Sequence, residues 1–271
     1  MHRSLSTGCW LAIRNNKMKI NYQIEGPENA PVIVLSNSLG TTLSMWQPQI
    51  SALTSHFRVL RYDTHGHGKT EKNETVTLAQ LGEDVVALLD HLAIEKAHFC
   101  GISMGGLTGL WLARYKPQRF HSVTVLNSAA KIGEATGWLS RAQAVREKGM
   151  QAIAATAPER WFSESYRLTA ATHVAFLCQQ LAESSPEGYA SCCEALANAD
   201  LRAELSAIDL PVLLIAGELD PVTTVADAQF MQQKIDGSRL EIVTASHLSS
   251  IEAPEVVNAL LIELCGGNNA R

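Results

Sequence analysis

Residues 98–107 have the sequence HFCGISMGGL. A short apolar run leads into the pattern Gly-x-Ser-x-Gly, and an apolar helical pattern follows, which is the order of strand, sharp turn and helix in a nucleophile elbow. Such a turn forces Ser103 into a strained backbone conformation that exposes its hydroxyl at the end of the sheet. Gly101 and Gly105 are required because side chains there would strike the neighbouring strand and helix. The five-residue pattern also occurs by chance, so its meaning depends on whether the chain supplies an acid, a base and an oxyanion hole.

Apolar runs on both sides of this stretch predict further strands of a mostly parallel, doubly wound α/β sheet. The runs at the sheet core are 31–36, 57–62, 120–127, 211–216 and 239–243, and the runs 10–14 and 18–23 predict an opening hairpin around Asn15-Asn16. Helical periodicity between them predicts helices over 46–53, 78–92, 106–115 and 256–264. In the helix over 78–92 we expect the charges of Glu83, Asp84 and Asp90 on the solvent side.

A change of pattern after Ser128 predicts an inserted helical cap. Residues 130–205 contain no convincing strand, and their short helical stretches are broken at Pro158 and at Ser184-Ser185-Pro186. We therefore expect an α/β-hydrolase core formed by 1–128 and 207–271, with the cap formed by 129–206.

The two strands after the cap each end in a candidate catalytic residue. The strand over 211–216 is followed by Asp220, and the strand over 239–243 is followed by His247. Ligand-facing groups of α/β sheets lie beyond the carboxyl ends of parallel strands. The chain order Ser103, Asp220, His247 is the order of nucleophile, acid and base in α/β-hydrolases. Glu218 and Asp227 are alternative acids, and an Asp before a Pro is also typical of a simple turn.

The chemistry assigns a role to each of these residues. His247 would take the proton of Ser103 as the hydroxyl attacks a carbonyl, while Asp220 would hold the imidazole tautomer and stabilise the imidazolium. The developing oxyanion requires backbone N–H donors, each worth roughly 2.7–4 kcal/mol. We expect these donors to be the N–H of Met104, at the start of the elbow helix, and that of Leu39, after the strand over 31–36.

Composition excludes several other classes of protein. The chain has 271 residues, 46% of them hydrophobic, and a net charge of −5 without a basic tract, which disfavours nucleic acid as a partner. No run is long enough for a signal-peptide core or a membrane span. Six scattered cysteines without a Cys-x-x-Cys pair indicate neither zinc nor disulfides and are typical of a cytoplasmic protein. His65 and His67 lack an evident third ligand, so we expect neither a metal site nor a cofactor.

Four of these features together resemble the α/β-hydrolase superfamily across nearly the whole length of the chain. They are GISMGG at 101–106, YDTHGHG at 62–68, AGELDP at 216–221, and His247. The resemblance implies the α/β-hydrolase fold with the triad named above. Dehalogenases and epoxide hydrolases of this fold use an Asp nucleophile, so Ser103 disfavours them.

A second set of segments is similar to the 3-oxoadipate enol-lactonases of aromatic catabolism. The sequence LSNSLGTT at 35–42, followed by Met45-Trp46, stands where many hydrolases of the fold have His-Gly, and NYQIEGP at 21–27 and ERWF at 159–162 also look like that family. Thr64-His65 departs from the Thr-Arg that members often carry. The resemblance implies a carboxylic ester hydrolase of the β-ketoadipate pathway that opens an enol-lactone ring to give 3-oxoadipate, without a cofactor.

Such a substrate carries a free carboxylate, which calls for a cation in the pocket. Arg141, Arg160 and Arg167 of the cap are candidates. Our hypothesis is that Arg160, beside Trp161, faces the pocket, the alternative being a solvated helix arginine. Trp138 either lines the pocket or packs the cap.

Other functions share the same triad. A carbon–carbon bond hydrolase and a cofactor-free perhydrolase or haloperoxidase would have the same elbow, and a ligand receptor or scaffold on this fold would be a different class of protein. The oligomeric state, and the choice between an acyl-enzyme and a water molecule activated by His247, are not decided by residue types.

Overall fold

The computed structural model describes residues 19–71 and 76–266, together with the backbone of residues 9–12. Eight strands of these segments form one sheet. They are β1 (Cys9–Ala12), β2 (Lys19–Glu25), β3 (Val32–Ser36), β4 (Arg58–Tyr62), β5 (Ala97–Ile102), β6 (Phe120–Leu126), β7 (Val212–Gly217) and β8 (Arg239–Val243). Their spatial order is β1-β2-β4-β3-β5-β6-β7-β8.

The sheet is parallel from β4 to β8 and antiparallel at one edge, where β2 pairs with β1 and β4. Every residue of β3, β5 and β7 is buried, as continuous apolar runs covered on both faces require. The mostly parallel doubly wound sheet is therefore confirmed. The opening hairpin is confirmed by its strands, while its expected turn at Asn15-Asn16 lies outside the described residues.

Three α-helices of the described residues precede β6, namely α1 (Gln47–Leu53), α2 (Leu78–His91) and α3 (Met104–Tyr115). Helix α2 begins where the Thr77 hydroxyl accepts the N–H of Gln80 at 3.1 Å. The expectation that Asp84 lies on the solvent side of this helix is wrong, because its side chain is only 5% exposed. On the helix surface Asp84 lies next to the edge of the apolar stripe. The loop after β4 covers it there, with His65 Nδ1 at 3.9 Å from Oδ2 of Asp84.

Six helices occupy the chain between β6 and β7 and confirm the inserted helical cap. They are α4 (Ala135–Lys148), α5 (Gln151–Ala155), α6 (Ala157–Trp161), α7 (Glu164–Thr169), α8 (Ala171–Ala182) and α9 (Pro186–Ala197). Helices α4 and α9 pack against each other. At the cap–core contact, a Cβ on Gly188 would lie 2.1 Å from the carbonyl oxygen of Gly66, so the two backbones touch. Boundaries at 129 and 206 stay a prediction.

The remaining helices are α10 (Val225–Lys234), α11 (Ser249–Glu252) and the closing helix α12 (Pro254–Gly266). From β3 the chain continues to β4, which is the neighbour toward one edge of the sheet. From β5 it continues to β6, which is the neighbour toward the opposite edge. Loops at such a topological switch leave in opposite directions and open a crevice at the carboxyl ends of the strands. The loops after β3 and β5 therefore frame a ready-made site. Within the described ranges, no helix has both the length and the apolar character needed to cross a bilayer.

Candidate active site

The junction of β5 and α3 has the geometry expected of a nucleophile elbow. Ser103 stands between the two elements with φ 56° and ψ −118°, a region that non-glycine residues rarely adopt. A Cβ on Gly101 would lie 2.1 Å from the carbonyl oxygen of Gly105, and one on Gly105 would lie 2.3 Å from that of Ser36. Both glycines are thus needed for the close approach of strand, turn and helix, which explains the spacing of the motif.

Asp220 is the acid that contacts the imidazole. Nδ1 of His247 donates to Oδ2 of Asp220 at 2.8 Å. The other ring nitrogen, Nε2, takes no part in this contact. The carboxylate also accepts the N–H groups of Val222 at 2.7 Å and Thr223 at 3.1 Å, and the hydroxyl of Thr223 at 2.8 Å. Burial raises the pKa of Asp220, but the hydrogen bond and charge of His247, together with the hydrogen bonds from Asn127 and Val222, bring the pKa below its usual value. Asp220 is therefore ionised at neutral pH.

The two alternative acids have other partners. Glu218 is exposed and accepts the hydroxyl of Thr244 at 3.2 Å. Asp227 forms a capping box with Thr224 at the start of α10. The structure therefore brings Asp220, and neither of its competitors, to His247.

Asn127 is a site residue that sequence reasoning missed. It follows β6 directly, with φ 41°, and its Nδ2 donates to Oδ2 of Asp220 at 2.9 Å and to the carbonyl of Ser246 at 3.1 Å. Its Oδ1 accepts the hydroxyl of Ser249. The amide of Asn127 thereby connects Asp220 with Ser246, which precedes His247 in the chain, and with Ser249, which follows it. Its position beyond the carboxyl end of a parallel strand was the available signal.

The loop after β3 is fixed by the side chain of Asn37. Its Nδ2 donates to the carbonyl of Tyr62 at 2.8 Å, and its Oδ1 accepts Nε1 of the buried Trp46 at 2.9 Å. The joint occurrence of SNSLG and a following Met-Trp therefore has a physical reason, because Trp46 supplies the donor that orients Asn37. The N–H of Gly105 donates to the carbonyl of Asn37 at 3.1 Å, which holds the loop against the first turn of α3.

The predicted oxyanion donors lie at this contact. Met104 is the first residue of α3, so its N–H has no acceptor in a preceding helical turn. Among the hydrogen bonds of the described residues, none uses the N–H of Met104 or of Leu39. Leu39 and Ser103 line the same cavity. The elbow region therefore offers two unused N–H groups, and their role as an oxyanion hole stays a prediction.

The cavity above Ser103 has a volume of about 330 Å³, at the lower end of the roughly 300–1,000 Å³ typical of small-molecule sites. Core and cap both contribute to its wall. The wall includes Leu39, Ser103 and His247 from the core and Trp138, Arg141, Arg160, Trp161 and Tyr189 from the cap. No hydrogen bond of the described residues joins the Ser103 hydroxyl to Nε2 of His247, and such bonds often tighten only when substrate binds.

The two cavity-lining arginines are held differently. The guanidinium of Arg141 lies 4.8 Å from the centre of the Trp138 ring. Arg160 donates to the carbonyl of Ile153 at 3.0 Å and to the Thr156 hydroxyl, and burial lowers its pKa, as does the charge of Arg141. Arg160 is therefore not fully solvated, and its partners lie in the preceding helix α5 and at the residue before α6. Arg167, the third candidate, lies 3.9 Å from Glu159 and is absent from the cavity wall.

The cap is hydrogen-bonded to the loop that carries His247. The N–H of Leu248 donates to the carbonyl of Trp161 at 3.0 Å. The carboxylate of Glu252 accepts the N–H of Ser246 at 3.1 Å and that of Ser163 at 3.2 Å. The pocket side of α6 is thereby positioned relative to the imidazole.

Both ring nitrogens of His67 contact backbone groups. The ring of His67 uses Nδ1 toward the carbonyl of His65 at 2.9 Å and Nε2 toward the N–H of Gly40 at 3.0 Å. No cluster of three metal-ligating side chains occurs in the described part of the chain.

This fold and this arrangement of Ser103, His247 and Asp220 are those of α/β hydrolases. Residues 31–254 match the family described as alpha/beta hydrolase fold, and the chain belongs to that family. It is 52% identical over 246 residues to 3-oxoadipate enol-lactonase 1 of Acinetobacter baylyi, covering 90% of this chain and 92% of that protein. It is 53% identical over 240 residues to enol-lactonase 2 of the same organism, covering 88% and 90%.

A solved structure agrees with these relatives. The crystal structure of the enol-lactonase from Burkholderia xenovorans superposes with a TM-score of 0.92 at 42% identity, covering 94% of this chain and 99% of that one. The similarity therefore spans core and cap together.

Proposed function

We propose that the protein hydrolyses 3-oxoadipate enol-lactone to 3-oxoadipate, the reaction named for its Acinetobacter relatives, and that it thereby serves the catabolism of aromatic compounds. The observation that carries the proposal is one cavity that joins Ser103 and His247 to two arginines of the cap. A small ester with a carboxylate at its far end would meet a nucleophile at one side of this cavity and a cation at the other.

The proposed mechanism uses Ser103, His247 and Asp220 as a triad. Nε2 of His247 takes the hydroxyl proton while Oγ of Ser103 attacks the lactone carbonyl, and the N–H groups of Leu39 and Met104 receive the oxyanion. The ring C–O bond then breaks, and the leaving enolate oxygen takes the proton from the imidazolium. Asp220, ionised and hydrogen-bonded to Nδ1, stabilises that imidazolium.

The second half of the reaction releases the product. His247 deprotonates a water molecule that attacks the acyl carbon, and Ser103 leaves with the proton returned by His247. The released enol tautomerises to a ketone, which draws the reaction toward hydrolysis. The leaving group stays tethered to the acyl chain, so water must enter while the cavity is still occupied.

Arg141 and Arg160 bind the substrate carboxylate in this proposal. Stacking on Trp138 covers a face of the Arg141 guanidinium, and Tyr189 hydrogen-bonds to it, so the ligand would use the remaining N–H groups. Trp138 and Trp161 supply apolar walls for the lactone ring.

A cytoplasmic location is part of the same proposal. The five cysteines with described side chains form no disulfide, which suits a reducing compartment. The net charge of −5 gives no support for a nucleic-acid partner.

The test is the loss of ultraviolet absorbance of the enol-lactone on addition of enzyme. We expect turnover by the wild type and by Ser55→Ala, a control at an exposed serine, and a loss of about 10⁶-fold in kcat for Ser103→Ala. Retained turnover in Ser103→Ala would disprove the serine mechanism. Faster conversion of a vinylogous diketone, or peroxide-dependent halogenation, would assign the triad to carbon–carbon hydrolysis or perhydrolysis instead.

A further inference from the structure

A buried histidine outside the triad contacts the loop of the oxyanion hole. His67 lies in the loop after β4 and is only 2% exposed. Its Nε2 is 3.0 Å from the backbone nitrogen of Gly40, the residue that follows Leu39. The mechanism above assigns this imidazole no role.

The partners of His67 fix its tautomer. The carbonyl of His65, 2.9 Å from Nδ1, can only accept a hydrogen bond, so Nδ1 carries the proton. The N–H of Gly40 can only donate, so Nε2 is unprotonated and accepts. Burial lowers the pKa of His67, against smaller opposing effects of the His65 carbonyl and the charge of Asp63. The ring is therefore neutral and has a single orientation.

The backbone at Gly40 needs such a support. Gly40 has φ 82°, and a Cβ there would lie 2.6 Å from Leu181 and 3.1 Å from Tyr189 of the cap. The N–H of Thr41 closes the turn on the carbonyl of Ser38 at 3.2 Å. The hydrogen bond from the Gly40 N–H to His67 fixes the plane of the Leu39–Gly40 peptide. In the turn held by this bond and by the bond of Thr41, the N–H of Leu39 has no internal acceptor.

We propose that His67 is a positioning residue for the oxyanion hole, acting through the Gly40 N–H to aim the N–H of Leu39 at the reacting carbonyl. The inference rests on the proposed use of Leu39 as an oxyanion donor. It does not depend on which ester is the substrate, because every tetrahedral intermediate at Ser103 places an oxyanion at the same point.

Two conservative variants separate this role from simple packing. In His67→Gln the amide oxygen reaches the position of Nε2 and can accept from Gly40. In His67→Asn the shorter amide reaches only the position of Nδ1 and leaves the Gly40 N–H without its acceptor. Both variants place an uncharged amide in the same buried site, so they share the cost of replacing the ring.

The measurement is kcat and KM of both variants on the enol-lactone and on p-nitrophenyl acetate. Complete loss of an oxyanion donor costs about 10²–10³ in kcat, and mispositioning it costs less. We expect His67→Asn to lose about 10- to 100-fold in kcat with KM within about twofold, and His67→Gln to recover at least about tenfold of that loss. Equal kcat values for the two variants on both esters would overturn the proposal.

A second measurement needs no variant. Nitrogen NMR of the wild-type imidazole should show Nδ1 protonated and Nε2 unprotonated, and the reverse tautomer would overturn the proposal. If the wild type cleaves p-nitrophenyl acetate but not the lactone, the proposed substrate fails while the contrast between Asn and Gln still tests His67.

Discussion

The core and the cap build the same cavity by different physical means. On the core side, the carboxylate of Asp220 accepts bonds from His247, Asn127 and the backbone after β7, all in buried loops at the end of one sheet. On the cap side, Arg141 stacks on Trp138, and Arg160 donates to the carbonyl of Ile153 in the neighbouring helix α5. In the proposed mechanism the core therefore fixes the atoms that react, while the cap presents apolar walls and cations that would select the ester.

The core and the cap also differ in how completely their apolar side chains are buried. Strands β5 and β7, which lead to Ser103 and Asp220, are buried along their whole length, whereas the cap exposes large apolar side chains such as Leu139, Leu168 and Phe176. Closely packed interiors transmit small displacements, so changes on the core side should reduce the rate for every substrate. Changes on the cap side should alter the preference among substrates.

The largest effect is expected at the acid of the triad. Asp220→Asn should lower kcat by about 10⁴-fold for acidic and neutral esters alike, because the imidazole loses its correct tautomer and its counter-charge. Steady-state kinetics on both esters measures this loss. Asp227→Asn is the matched control, since it weakens the capping box of α10 without touching His247. A loss confined to the acidic ester would break the division between core and cap.

A smaller effect is expected at Asn127. Asn127→Ala should lower kcat by about 10- to 100-fold, because Asp220 and the carbonyl of Ser246 lose a shared donor. Asn127→Gly, which tolerates the positive φ, should show a similar loss, so that strain is separated from hydrogen bonding. The exposed Asn198→Ala is the control. Recovery of full activity in the glycine variant would contradict the positioning role.

On the cap side, a single arginine change should act on binding. Arg160→Ala is expected to raise KM for the acidic lactone by about tenfold with little change in kcat, as removal of one charge-assisted contact predicts. Arg167→Ala, outside the cavity wall, should leave KM unchanged. An unchanged KM in Arg160→Ala would show that this side chain serves only the contact between α6 and α5.

The smallest effect is expected at Asp84, a buried carboxylate that, unlike most buried polar groups of the core, lacks a hydrogen-bond partner within the described part of the chain for one of its oxygens. Its Oδ2 has no hydrogen-bond partner among the described residues, and burial raises its pKa from 3.8 to about 7, with a further increase from the charge of Glu83 and an opposing hydrogen bond from Gln80. The folded protein then binds more protons at this site than the unfolded chain between about pH 4 and pH 7. The free energy of unfolding therefore falls as pH rises through this window.

Removing the carboxyl group should remove that pH dependence. From pH 6 to pH 8 we expect Asp84→Asn to gain about 1.4 kcal/mol in free energy of unfolding relative to the wild type. Urea unfolding at both pH values measures the change, with the exposed Glu95→Gln as control. A relative stability that is constant with pH would show that Asp84 is ionised throughout.

The core side of the site could be predicted from the sequence because its signals are local. Gly101 and Gly105 report a close backbone approach, and acid and base follow recognisable buried strands. Asn127 was missed because an Asn after a strand is also typical of a turn. Asp84 was misplaced because periodicity gives the direction of a side chain but not the loop that covers it. Arg160 was singled out over Arg141, although both line the cavity, since short cap helices are oriented by tertiary packing that no period specifies.

The division between core and cap is tested most directly by one specificity ratio. This ratio is kcat/KM for the acidic enol-lactone divided by kcat/KM for its methyl ester, measured in the wild type, in Asp220→Asn and in the double variant Arg141→Gln/Arg160→Gln. We predict about 10- to 100-fold preference for the acid in the wild type, the same preference at a much lower rate in Asp220→Asn, and its loss in the double variant. A preference that survives removal of both arginines, or that disappears in Asp220→Asn, would contradict the account.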